Sequence, residues 1–141
     1  MPRLTAAISS RSNRRPVLTD QLAILIGSAS VERPELYATP LVHALAAHAL
    51  DAQVEIHFAG PAVRLLVADV ADKLYAAPSR EKSIGDFLRE VIAQDIPLYA
   101  CSMARAGWIA ENETLIPQAR AAGATAFIAR TLDASWRTLV Y

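Results

Sequence analysis

Leu22-Ala23-Ile24-Leu25-Ile26 is an unbroken apolar run closed by Gly27-Ser28-Ala29-Ser30. A short strand that is apolar at every position must be covered on both faces, the situation of a central strand in a parallel sheet. Two more segments extend the theme. Gln53-Val54-Glu55-Ile56-His57-Phe58-Ala59-Gly60 reads as a second strand, stopped by Gly60-Pro61. Val54, Ile56 and Phe58 alternate with Glu55 and His57, which predicts a more polar face or a place near an edge, with His57 half exposed. Ile96-Pro97-Leu98-Tyr99-Ala100-Cys101 reads as a third strand, with Pro97 at its start.

Helical spacing fills the gaps. Leu41, Val42, Leu45 and Ala49 share one side of a helix after the first strand. Pro40 either opens that helix with Thr39 as N-cap or kinks a longer one over 33–50. Val63, Leu65, Leu66 and Val67 give a short helix, and residues 69–80 follow neither period. Ile84, Phe87, Leu88, Val91 and Ile92 predict a helix starting at Ser79 or Arg80. Helical character resumes after Cys101. A helix is expected over Glu113 to Ala122 with Gly123 as C-cap, a fourth strand over Ala124 to Ala129, and a last strand over Thr138 to Tyr141. Strands alternating with helices predict an α/β fold: one open, mostly parallel sheet of about five strands with helices on both faces.

The length, 141 residues, suits one domain able to bury a core without disulfides or metal. Residues 1–17 read as a flexible basic tail, and 18–141 as the folded unit. The tail holds Arg3, Arg11, Arg14 and Arg15; with these set aside, 10 basic residues face 14 acidic ones. A mildly acidic body argues against nucleic acid as a partner. No run approaches the roughly 18 apolar residues of a membrane span, so no membrane is expected. The single cysteine excludes an internal disulfide, and one cysteine with three scattered histidines excludes a Cys/His zinc site. A free thiol and no secretory apolar core predict a cytoplasmic protein. Neither a dinucleotide glycine fingerprint nor a phosphate-binding lysine loop occurs, and no cofactor is expected.

Reactive groups in an open α/β sheet collect at the carboxyl ends of the strands. Three positions qualify: the Gly27-Ser28-Ala29-Ser30 loop, the Gly60-Pro61 turn, and Cys101. Cys101 ends a strand just before a helix, whose positive N-terminus favours a thiolate, and Arg105 four residues on could add a cation. Against this stands the ordinary reading of a free cysteine as a small packed hydrophobe. A Cys-x-x-Cys redox pair fails at Ala104, and a Cys-x5-Arg phosphatase loop fails at Gly107. A cysteine–histidine pairing would have to use His57, and no signature supports it. Trp108, Trp136 and Tyr141 suit either core packing or a subunit contact.

In order and spacing these features resemble the DsrE/DsrF-like, or TusD-like, family of sulfur-relay proteins. The likeness runs from Ile24-Leu25-Ile26-Gly27-Ser28 through Phe58-Ala59-Gly60 with Val63-Arg64-Leu65-Leu66. It continues in Pro97-Leu98-Tyr99-Ala100-Cys101 with Ala104-Arg105-Ala106-Gly107, and in Leu115-Ile116-Pro117 to the closing Leu139-Val140-Tyr141. Pro61 and the 69–80 segment depart from the pattern. The resemblance implies a sulfur carrier or sulfurtransferase that holds sulfane sulfur as a persulfide on Cys101, with Arg105, Ser28 and Gly60 as supporting candidates. It also implies a homo-oligomer, trimer or hexamer, with sulfur-donor and sulfur-acceptor proteins as partners. Two other readings are an anion- or nucleotide-binding flavodoxin-like module using Ser28 and Ser30, and a non-catalytic oligomeric scaffold.

Overall fold

A computed structural model describes residues 20–141; the basic tail expected over 1–17 lies outside them. The elements in chain order are β1 (Gln21–Ile26), α1 (Glu35–Ala49), β2 (Gln53–Phe58), a 3-10 helix (Gly60–Leu66), a short 3-10 turn (Ala71–Lys73) and α2 (Ile84–Ala93). There follow β3 (Leu98–Cys101), α3 (Ser102–Trp108), β4 (Ala119–Ala122), α4 (Ala124–Leu132) and β5 (Trp136–Val140). The five strands form one sheet in the order β4-β3-β2-β1-β5, and every neighbouring pair is parallel.

That order dictates where the helices go. Parallel crossovers are right-handed, so stepping outward from β1 to β4 keeps its connections on one face. The return from β4 to the far side of β1 reverses direction and puts α4 on the other face. The side chains follow. Ile24, Ile26, Val54, Ile56, Phe58, Leu98 and Ala100 point into the large core with Tyr37 and Leu41 of α1 and Leu88 and Val91 of α2. Ala23 faces the opposite way, into a small cluster with Phe127 of α4 and Trp136, with Leu25 packed against it.

Local chemistry sets the helix bounds. Ser83 and Asp86 cap α2 reciprocally: the Asp86 amide donates to Ser83 Oγ at 3.0 Å and the Ser83 amide to Asp86 Oδ2 at 2.9 Å. The start expected at Ser79 or Arg80 therefore moves to Ile84, and Arg80, at φ 52°, is outside helical conformation. Pro40 sits inside α1, so the longer helix is the one formed.

The segment from 113 to 129 differs most from expectation. Residues expected to form a helix over 113–122 are a loop followed by β4, and the expected fourth strand over 124–129 is α4. Pro117 lacks an amide hydrogen and is poorly tolerated inside a helix. Ala119–Ala122 fits as an edge strand against Leu98–Cys101. Alanine is the best helix former, which suits Ala124, Ala126 and Ala129 to α4. Gly123 thus precedes a helix as its N-cap and does not end one. The last strand begins at Trp136, two residues earlier than expected, while the Tyr141 amide still donates to Leu25 O at 2.8 Å.

Candidate functional site

Cys101 closes β3 in extended conformation (φ −61°, ψ 127°) and is the residue preceding α3. It is half-buried and opens into a cavity of about 160 Å³ that it shares with Leu25, His57, Gly123, Phe127 and Ile128. The cavity lies at the carboxyl ends of the strands, roofed by the first turns of α4. The helix after Cys101, expected to bring positive charge, is α3, only seven residues long. The nine-residue α4 also begins at this cavity, through Gly123 and Ala124. No side chain caps its N-terminus; the Ala126 amide donates to Gly123 O at 3.0 Å, and the start of the helix brings partial positive charge to the cavity. The segment misread as a strand is the one that supplies this field.

His57 is buried, at 5% exposure, and not half exposed as expected. β2 lies in the middle of the sheet, and α4 covers the face carrying Glu55 and His57. Both side chains are hydrogen-bonded there. Glu55 Oε1 lies 3.0 Å from His57 Nε2 and accepts from Arg130 Nε at 2.8 Å, while its Oε2 accepts from Arg130 Nη2 at 3.3 Å. Burial pushes the Glu55 carboxyl up, but the bonds from Arg130 and His57 outweigh it and hold it below the usual carboxylate range. The Arg130 guanidinium in turn lies 4.0 Å over the Trp136 ring. The His57 ring stacks on Tyr99 (4.9 Å, 24°) and meets the edge of Phe127 (5.4 Å, 67°).

The other candidates lie elsewhere. Arg105 is exposed on α3 and does not line the Cys101 cavity. Ser28 borders a separate cavity of about 320 Å³ with Glu35, Thr39 and Tyr141. Gly60 makes the turn out of β2 at φ 52°, a backbone conformation suited to glycine, and its neighbour Ala59 reaches the Cys101 cavity instead. Trp136 packs in the small cluster, Trp108 is 48% exposed, and Tyr141 is hydrogen-bonded to His43.

An ion pair fixes the loop that follows α3. Arg64 donates to both Glu113 oxygens at 2.9 Å and to Trp108 O at 2.9 Å. The Arg64 hydrogen bond, helped by the Ala110 amide, holds the Glu113 carboxyl down to about 2. A carboxyl lowered in the fold contributes stability above its unfolded value, near 4.5, and loses it as pH falls toward 2. Glu113→Gln is expected to lower the melting temperature at pH 7, with the gap from wild type closing between about pH 4.5 and pH 2. A gap independent of pH over that range would contradict the assignment.

Among the described residues no helix is long and apolar enough to cross a membrane. The chain matches the crystal structure of the ychN protein from E. coli with a TM-score of 0.70 and 17% sequence identity, over 87% of this chain and 100% of that one. At that identity the likeness speaks to the fold, a parallel five-stranded α/β sheet. No curated protein matches the sequence. The model of the DsrE/DsrF-like family matches residues 21–141, the whole sheet with its helices, and the chain belongs to that family.

Proposed function

We propose that the protein is a sulfur carrier that accepts sulfane sulfur as a persulfide on Cys101 and passes it to an acceptor thiol. The observation that carries this reading is the position of the lone cysteine. In a chain of a family generally concerned with sulfur relay, it ends a strand at a small cavity walled by Leu25, Phe127 and Ile128. Thiolate attack on a sulfane sulfur needs access, which half-burial allows, and the start of α4 lines the same cavity. The apolar walls limit the water that would reach a bound persulfide. In this reading the donor and acceptor are proteins of the reducing cytoplasm.

The test is intact-mass spectrometry after incubation with a sulfane-sulfur donor. A gain of one sulfur atom, reversed by reductant, is the expected result. No gain with any of several donors, together with a thiol that resists a small alkylating reagent, would sink the relay reading and favour a scaffold.

The same reading includes assembly into a trimer or hexamer. Its support is apolar surface: Val140 is 67% and Leu139 42% exposed on the edge strand β5, and Ile128 is 51% and Leu132 82% exposed on α4. Light scattering on the eluting protein is expected to give three or six times the chain mass. A monomer at micromolar concentration would count against assembly.

A further inference from the structure

Of the polar groups near the cavity, His57 is the one whose bonding leaves something over. Its Nε2 is committed to the Glu55 carboxylate, which only accepts, so Nε2 carries the hydrogen. Whenever the ring is neutral, Nδ1 is then left as an acceptor. Among the described residues Nδ1 has no hydrogen-bond partner, yet no buried side-chain nitrogen or oxygen there lacks one. Nδ1 therefore reaches accessible space, and for a ring with 5% exposure that space is the cavity it lines with Cys101.

Sheet geometry brings the two residues within working range. His57 pairs with Tyr99, and Cys101 lies two residues further along the same strand, on the same face. With strands about 4.8 Å apart and a rise of about 3.3 Å per residue, the two Cα atoms are about 8 Å apart. The two side chains line one cavity without a direct hydrogen bond between them, a separation that one water can bridge. The ring is also held in place: Tyr99 stacks on it, Phe127 meets it edge-on, and Glu55 fixes its Nε2 with Arg130 braced behind.

We propose that His57, oriented by Glu55 and Arg130, is the proton-transfer partner of the Cys101 thiol. The proposal rests on the reading of Cys101 as the sulfur carrier. In the loading step the Cys101 thiol gives its proton, through a bridging water, to His57 Nδ1, and the thiolate attacks the outer sulfur of a donor persulfide, R–S–SH. A new Cys101 S–S bond forms as the donor S–S bond breaks. The departing R–S⁻ takes the proton back from His57 and leaves as R–SH. Cys101 becomes Cys101–S–SH, with no other oxidant or reductant. His57 handles the moving proton, whereas Glu55 and Arg130 are positioning residues.

The test compares wild type, His57→Gln, Glu55→Gln, the double variant and Cys101→Ser. Two rates are measured against pH: alkylation of the thiol by iodoacetamide, and single-turnover uptake of sulfur from glutathione persulfide. The titratable and charged groups around the ring are Glu55 on its own strand, Tyr99 and Cys101 on β3, Arg120 beside Tyr99 on β4, and Arg130 on α4. His57→Gln is expected to slow uptake about 100-fold and to change the pH profile of both rates, with the adduct still reaching Cys101 at long times. Glu55→Gln is expected to slow uptake about tenfold, and the double variant to be no slower than His57→Gln alone, because the two act as one unit. Wild-type rates and profiles in a folded His57→Gln would overturn the proposal while leaving the carrier reading intact. If wild type takes up no sulfur, the carrier reading fails, and the alkylation arm alone decides whether His57 activates the thiol. Should His57→Gln fail to fold, Glu55→Gln decides, and an unchanged profile there overturns the proposal.

Discussion

Cys101→Ser is expected to abolish sulfur uptake outright while leaving the fold standing. The chain has one cysteine, so no second thiol can take over, and a serine oxygen forms no stable bond to sulfane sulfur. The substitution nearly preserves side-chain shape at a half-buried position, so its effect on stability is expected to stay within about 1 kcal/mol. Mass spectrometry beside a thermal melt separates the two effects: no adduct, and a melting temperature close to wild type. An adduct that persists in Cys101→Ser would mean that sulfur binds elsewhere, and the carrier reading would fall with it.

Phe58→Ala is expected to have the largest effect on stability, about 3–5 kcal/mol, out of the roughly 5–15 kcal/mol that holds a domain of this kind folded. The ring is fully buried at the end of β2, between Ile26 of β1 and Ala100 of β3 in the register of the sheet. Its small neighbour Ala100 is already part of the packed core, and no larger side chain at that position is free to fill the space left behind. Urea denaturation is expected to show a lower midpoint with an unchanged slope. Phe127→Ala makes the comparison, since that ring packs in a cluster of only three buried residues and is expected to cost less. A loss below about 1 kcal/mol for Phe58→Ala would contradict this account of the core.

The three inner strands were legible because each carries its own apolar signature: a continuous run in β1, alternation in β2, and a proline-led start in β3. The two outer pieces after Glu113 were not, because Ala119–Ala122 and Ala124–Ala129 are both rich in alanine. Short apolar runs of this kind do not distinguish strand from helix, and the partner decides. Pro117 was the signal against a helix over 113–122, whose expected end was set by Gly123 as a C-cap. Within the candidate site, Cys101 was singled out from its place at a strand end. Glu55 and His57 were recognised as a polar face, but a spacing of two shows only that they share that face. That the face is buried depends on α4 and Arg130, which come from far along the chain. Ser28 and Gly60 were chosen for lying just after strand ends and Arg105 for lying four residues beyond Cys101, and none of the three lines the Cys101 cavity.

The reversal that sets β5 against β1 also imposes an order of assembly. β1 can pair with β2 early, but its other edge pairs Gln21 with Trp136, across nearly all of the described residues. A contact of such long range forms slowly, since loop closure must precede any gain from it. During synthesis on the ribosome, the first strand therefore waits with one apolar edge open, a template for unwanted pairing with other nascent chains. α4 lies just before β5 and docks in the same late stage. The wall that shields Cys101 is then among the last parts to be completed, and a newly made thiol is open to oxidants until it is in place.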